Sequence, residues 1–190
     1  MTALRSPLAV SVLVLVGLPF ALLSGGLTLT SATDVVIFAI ACMALNVLVG
    51  HTGLVSFGHG AWFGLGAYAA ALSQKYWFAG SVLWPALFAL LFLAVAAVLV
   101  GFLVLRRRGV YFSLLTLAFS ALTYTIAFRW TAFTGGENGL GGVTRANWFG
   151  ADLENRWIYY ALVAGIGLAV VYLLGRFHRS PIGSVLLAIR

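Results

Sequence analysis

Apolar residues along this chain come in long blocks, covering residues 8–23, 33–50, 61–73, 83–105, 110–128 and 157–174. An α-helix rises about 1.5 Å per residue, so about 20 residues cross a hydrocarbon core of about 30 Å. Most of the blocks approach that length, while 8–23 and 61–73 fall short of it. Ser24-Gly25-Gly26 closes the first block. Lys75, Tyr76 and Trp77 follow the third in the manner of an interfacial belt. The pattern predicts an all-α integral membrane protein of about six transmembrane helices. Arg5 and the block after it also resemble the start of a signal peptide, with Ser31-Ala32-Thr33 as a mimic of its cleavage site. Because further apolar blocks follow, a retained first helix is the preferred reading.

Composition strengthens that picture. Of 190 residues, 63% are apolar and 8% are charged, with a mean hydropathy of +1.08. A soluble domain carries about 25% charged residues, so this chain has too few to cover a globule in water. The net charge of +7 and a pI near 10.2 are superficially those of a nucleic-acid binder. The charges are in the wrong places for it. Arg106, Arg107 and Arg108 form one cluster, Arg176 and Arg179 another, and each borders an apolar block. A nucleic-acid face needs a solvated basic surface, so the expected surroundings are a lipid bilayer and no nucleic acid. The positive-inside rule then puts both clusters and both termini in the cytoplasm. Asp34, Lys75 and the polar loop 129–156 face outward. No soluble domain interrupts residues 1–190, which read as a single transmembrane domain. Cys42, the only cysteine, excludes an intrachain disulfide and reads as a small packing residue.

Catalytic chemistry is nearly absent. There is no GxxxxGK[ST] phosphate loop, no HExxH and no Cys/His cluster. His51 and His59 are eight residues apart without a carboxylate, so no metal site is expected. The informative stretch is HTGLVSFGHG, 51–60, glycine-rich and polar between two apolar blocks. Non-helical backbone at membrane depth is tolerated only when buried in protein or lining a water-filled cavity, and transporters bind substrate at such breaks. Asn46, Thr52, Ser56 and His59 are therefore candidates for a substrate pathway; the alternative is a plain cytoplasmic loop. Gly60 and Gly64 form a GxxxG that Ala67 and Ala71 continue, suited to close helix packing. In FTGGENGLGG, 133–142, residues Gly135, Gly136, Glu137 and Asn138 are candidates for docking an external partner, against a flexible hairpin as the alternative. At the C-terminal end, Ser180 and Pro181 form a helix start, and Val185, Leu186 and Ile189 share one apolar face. A short amphipathic helix on the membrane surface would read the same way.

These strings carry a family resemblance. LNVLVGHTGLVSFGHGAWFGLGAYAAAL, 45–72, closely resembles a signature of branched-chain amino acid ABC transporter permeases. RRGVYFSLLTLAF, 107–119, is similar to the next signature and implies the larger of the two paired permease subunits. FTGGENGL, 133–140, resembles the family's external loop. RSPIGSVLLAIR, 179–190, resembles the start of the cytoplasmic segment that touches the ATPase. The resemblance runs from about Leu45 to the end, and the first helix matches only in character.

The resemblance implies a partial ABC importer permease fold in a bacterial inner membrane. The chain would be a multi-pass transport subunit, not an enzyme, that binds no cofactor. A second permease subunit, two ATP-binding subunits that use the ATP, and a periplasmic substrate-binding protein complete the complex. Residues 176–190 would begin the coupling segment, with Ser180, Pro181, Gly183, Leu186 and Ile189 as its candidate contacts. Permeases of the family continue beyond that segment, so a fragment or a truncated product is the expectation. Ala121 stands where relatives often carry a polar side chain, which leaves urea or a short amide as alternative substrates. An autonomous channel or secondary carrier would need an intramembrane carboxylate. Asp34 is the only one near a block, and only at its end.

Overall fold

The structure is a computed structural model, and it describes residues 7–106, 109–143 and 152–188. Among the described residues all regular structure is helical: α1 (Pro7–Ser24), α2 (Leu29–Thr52), α3 (His59–Tyr76), α4 (Leu83–Val104), α5 (Val110–Arg129), the single turn α6 (Thr131–Thr134), α7 (Arg156–His178) and α8 (Pro181–Ala188). A 3-10 turn spans Gly136–Asn138. Each apolar block becomes a helix, extended by a few residues at most ends. α2, α4, α5 and α7 are long and apolar enough to cross a membrane, and α1 is apolar but shorter. α3, which carries His59 and Lys75, does not join them. Arg107 and Arg108 lie outside the described residues; Arg106 rests its guanidinium 4.1 Å from the Phe102 ring centroid.

The chain divides into two compact units, Met1–Gly53 with Leu153–Arg190, and Leu54–Asp152. In the first, α1, α2 and α7 pack around Leu29, Ala32, Val36, Tyr160 and Val163. α7 passes α2 at Gly167, where a Cβ would make ordinary contact, 3.5 Å from Val36 Cγ1 and 3.7 Å from Ile40 Cδ1. α8 packs on α2 and α7. Cys42 is exposed on α2, so the packing role expected for it is not found within this unit.

In the second unit α3 packs on both α4 and α5. Trp62 meets Phe119 of α5 with ring centroids 5.0 Å apart, and Trp77 meets Phe88 of α4 edge-on at 5.1 Å. The small-residue face differs from the one expected. Gly60 and Gly64 look onto open space, whereas Gly66 lies against Leu93, whose Cδ1 is 3.0 Å from where a Cβ would be. Ala69 and Ser73 continue that buried side. The stripe that packs therefore starts two residues after Gly64, because a large leucine on α4 selects the glycine it fits.

Most large apolar side chains remain outside these cores. Val98 of α4 is 71% exposed and Leu99 68%. A helix apolar all round belongs in a membrane or in the interior of a larger assembly.

One interaction in the first unit follows directly from sequence. Pro19 lies inside α1 and has no N–H, so the Leu15 carbonyl, four residues earlier, loses its helical partner. The Tyr160 hydroxyl donates to that carbonyl at 2.5 Å, tying α7 to α1. Tyr160→Phe is expected to destabilise the unit by about 1 kcal/mol, since the carbonyl is then left unsatisfied. In a Pro19→Ala background, where an N–H returns to the helix, the same change should cost almost nothing. Thermal unfolding of the four proteins of this cycle in detergent checks it, and equal costs in both backgrounds would refute the explanation.

Candidate functional site

The expected break between the second and third blocks is present and shorter than its sequence. α2 continues through His51 to Thr52, α3 begins at His59, and only 53–58 is non-helical. Gly53 ends α2 with a left-handed φ of 68°, its N–H bonded to Val49 O. That is the C-terminal conformation for which glycine is favoured. Gly58 begins α3 for a different reason. A Cβ at Gly58 would lie 2.9 Å from Thr116 O and 3.3 Å from Thr116 Cβ, so only a bare backbone can come this close to α5.

The segment is held to α5 by two side chains. Ser113 Oγ donates to Val55 O at 2.7 Å, and Phe57 N–H donates to Thr116 Oγ1 at 3.1 Å. Thr116 in turn donates to Ser113 O at 2.8 Å. Between these tethers, Ser56 Oγ accepts from Gly58 N–H at 3.3 Å. Of the four proposed pathway residues, Ser56 and His59 therefore belong to the α3–α5 unit. Asn46 and Thr52 belong to α2 in the other. Thr52 turns its hydroxyl onto Leu48 O at 2.5 Å, and Asn46 is exposed above Gly50.

Ser113 and Thr116 were not singled out from sequence, although they stand in the string RRGVYFSLLTLAF. The signal was available: Ser113, Thr116, Ser120 and Thr123 fall at spacings of three, four and three, one polar stripe along an apolar helix. His51 and His59 do not pair. His51 stacks on His178 of α7, with ring centroids 4.2 Å apart and planes at 20°. Among the described residues no three His, Cys, Asp or Glu side chains gather as a metal site would require.

The 129–156 loop is built, not slack, over its described first part. Thr134, buried at 6% exposure, places its hydroxyl 2.6 Å from Ala127 O and 2.8 Å from Trp130 O, and accepts from Gly136 N–H at 3.3 Å. Gly135 is left-handed at φ 81°, and a Cβ there would collide with Gly139 O. At Gly136 a Cβ would sit 2.7 Å from Thr131 Cγ2. The turn is fastened to α3 as well: Lys75 Nζ donates to Gly141 O at 3.3 Å, and Phe133 stacks on Tyr76 at 6.1 Å. Glu137 and Asn138 are exposed at its tip.

At the other end, Ser180 caps α8 as its sequence suggested, accepting from Gly183 N–H at 3.2 Å ahead of Pro181. Gly183 packs inward on the end of α7, where a Cβ would be 2.5 Å from Phe177 O. Leu186 is half-buried, whereas Ile182 and Val185 are 65% and 58% exposed. Ile189 lies outside the described residues.

Residues 27–190 match the family model for the permease component of the branched-chain amino acid transport system. The chain belongs to this permease family. It is 34% identical over 206 aligned residues to the high-affinity branched-chain amino acid transport system permease protein LivM of Escherichia coli (strain K12), a match covering 95% of this chain and 48% of that protein. Against LivM of Salmonella typhimurium (strain LT2) it is 33% identical over 183 residues, covering 84% and 43%. The permease thus spans about half the length of the curated relatives it matches. No solved structure matches it. With its family and its apolar helices, it is a multi-pass membrane protein.

The two loop glycines make a graded prediction. Gly139 has φ 69° and ψ 176°, a backbone region essentially confined to glycine, but open space around it, so Gly139→Ala should cost backbone strain alone, about 1–3 kcal/mol. Gly135→Ala adds the collision and should cost more, opening the loop. Limited proteolysis of residues 129–143 in membranes should cut Gly135→Ala fastest, Gly139→Ala next and the wild type slowest.

Proposed function

We propose that this permease is the transmembrane subunit of a binding-protein-dependent ABC importer for branched-chain amino acids, in a bacterial inner membrane. The similarity to the two LivM proteins over most of this chain carries the reading. In it, the chain supplies a pathway and no chemistry. A second permease subunit completes the pathway, and two ATP-binding subunits hydrolyse the ATP. A periplasmic substrate-binding protein docks on the 135–138 turn, where Glu137 and Asn138 are presented by a fixed backbone. α1 and α3 join the four long apolar helices to make six passes with both termini cytoplasmic.

The broken segment is the proposed substrate site, with Asn46, Thr52, Ser56 and His59 near it. Its support is physical: segment 53–58 carries polar backbone between two helices, which lipid does not tolerate. Coupling is assigned to the segment 176–190, with Ser180, Pro181, Gly183, Leu186 and Ile189 as its candidate residues. The buried position of Gly183 makes it a folding requirement, so the exposed Ile182 and Val185 are the side chains to offer an ATPase.

Two experiments test this. In the complete transporter, Ser56→Leu should lower branched-chain amino acid uptake about tenfold or more with normal membrane insertion. Wild-type uptake by that variant would leave 53–58 as a plain loop, and uptake of urea instead of leucine would change the substrate. For topology, cysteines at Asn138 and Ser180 in a Cys42→Ser background are labelled in intact cells with a membrane-impermeant reagent. Position 138 should react and position 180 should not; the opposite result would invert the orientation.

A further inference from the structure

The Val55 carbonyl and the Phe57 amide lie two residues apart, in a stretch that neither α2 nor α3 includes. Each meets a hydroxyl from α5, and the two hydroxyls are one helical turn apart, at 113 and 116. The spacing of backbone groups along the non-helical segment is thus matched to the spacing of side chains along the helix. Thr116 is set for an acceptor role, because its single proton is already given to Ser113 O. Gly58 completes the fit by bringing bare backbone onto Thr116.

We propose that Ser113 and Thr116 are positioning residues that fix segment 54–58 on α5, and through it set the orientation of Ser56 for substrate. The functional half of this rests on the pathway reading above. The tethers bracket Ser56 on both sides, so its backbone cannot reorient, and re-aim its side chain, without breaking one of them. Thr116 acts through its oxygen, which valine lacks and serine keeps. Ser113 acts through its proton, which alanine lacks.

Hydrogen exchange of residues 54–58 and leucine uptake are measured on the complete transporter carrying Thr116→Val, Thr116→Ser or Ser113→Ala. Thr116→Val should raise exchange at the Phe57 amide roughly tenfold and lower the maximal uptake rate, while Thr116→Ser stays near wild type in both. Ser113→Ala, which removes one bond and little volume, should raise exchange across the segment by a smaller factor. It decides the matter should Thr116→Val fail to reach the membrane. Wild-type exchange in both Thr116→Val and Ser113→Ala overturns the proposal. Equal loss in Thr116→Ser and Thr116→Val also overturns it, because packing and not the oxygen would then hold the segment. Raised exchange with wild-type uptake supports the tether and overturns the pathway reading it rests on.

Discussion

A backbone polar group with no water beside it must find its partner inside the protein, and the local structure of this permease turns on that constraint. Within a continuous helix the requirement is met automatically. Three of the places where the ladder breaks are the proline of α1, the segment between α2 and α3, and the turn after α5. At each, a side chain from a helix meets the groups released. Tyr160 takes the Leu15 carbonyl, Ser113 and Thr116 take Val55 and Phe57, and Thr134 takes Ala127.

The cores alone would not hold these elements. Helices in a membrane gain no hydrophobic drive toward each other, since lipid is as apolar as leucine. Packing must come from close approach, as where small meets large at Gly66 and Leu93. The much larger exposed surface of α4 is left to lipid or to other chains. Side-chain bonds to backbone then add geometric definition that apolar contact lacks, and they fall where the chain departs from helix.

Block lengths alone made the helices legible, because a bilayer imposes a length that the sequence must display. The break at 51–60 was legible from its glycines, and the cap at Ser180 from its chemistry. What sequence blurred was contact. Nothing local distinguishes Gly60 and Gly64 from Gly66; only the leucine on another helix chooses between them. His51 and His59 invited comparison because they are near in sequence, yet His51 stacks on His178, over a hundred residues away. The polar stripe that holds Ser113 and Thr116 is visible in the sequence, but their partners are backbone atoms of another segment, which the stripe does not name. Gly183, a candidate contact of the coupling segment, lies on the inward side of α8, where a Cβ would meet Phe177 O. Block length does not assign α3 to a span, since it shares its length with polar residues at both ends.

The type of side chain at each break reports which backbone group was orphaned. Proline removes a donor and leaves a carbonyl, and the answering group is a phenol, which has a proton to give. At Val55 a carbonyl is again free, and Ser113 gives its proton. At Phe57 an amide is free, and the group that meets it, Thr116, has already spent its proton on its own helix and offers only a lone pair. Thr134 does both, sharing its proton between two carbonyls and accepting from Gly136. An amide side chain at any of these places would bring additional donors and acceptors that themselves need partners in an apolar medium. A hydroxyl brings one proton, and where a neighbouring carbonyl takes it, no donor is left over. That economy of polar atoms is the physical reason the side chains that answer these three breaks are serine, threonine and tyrosine.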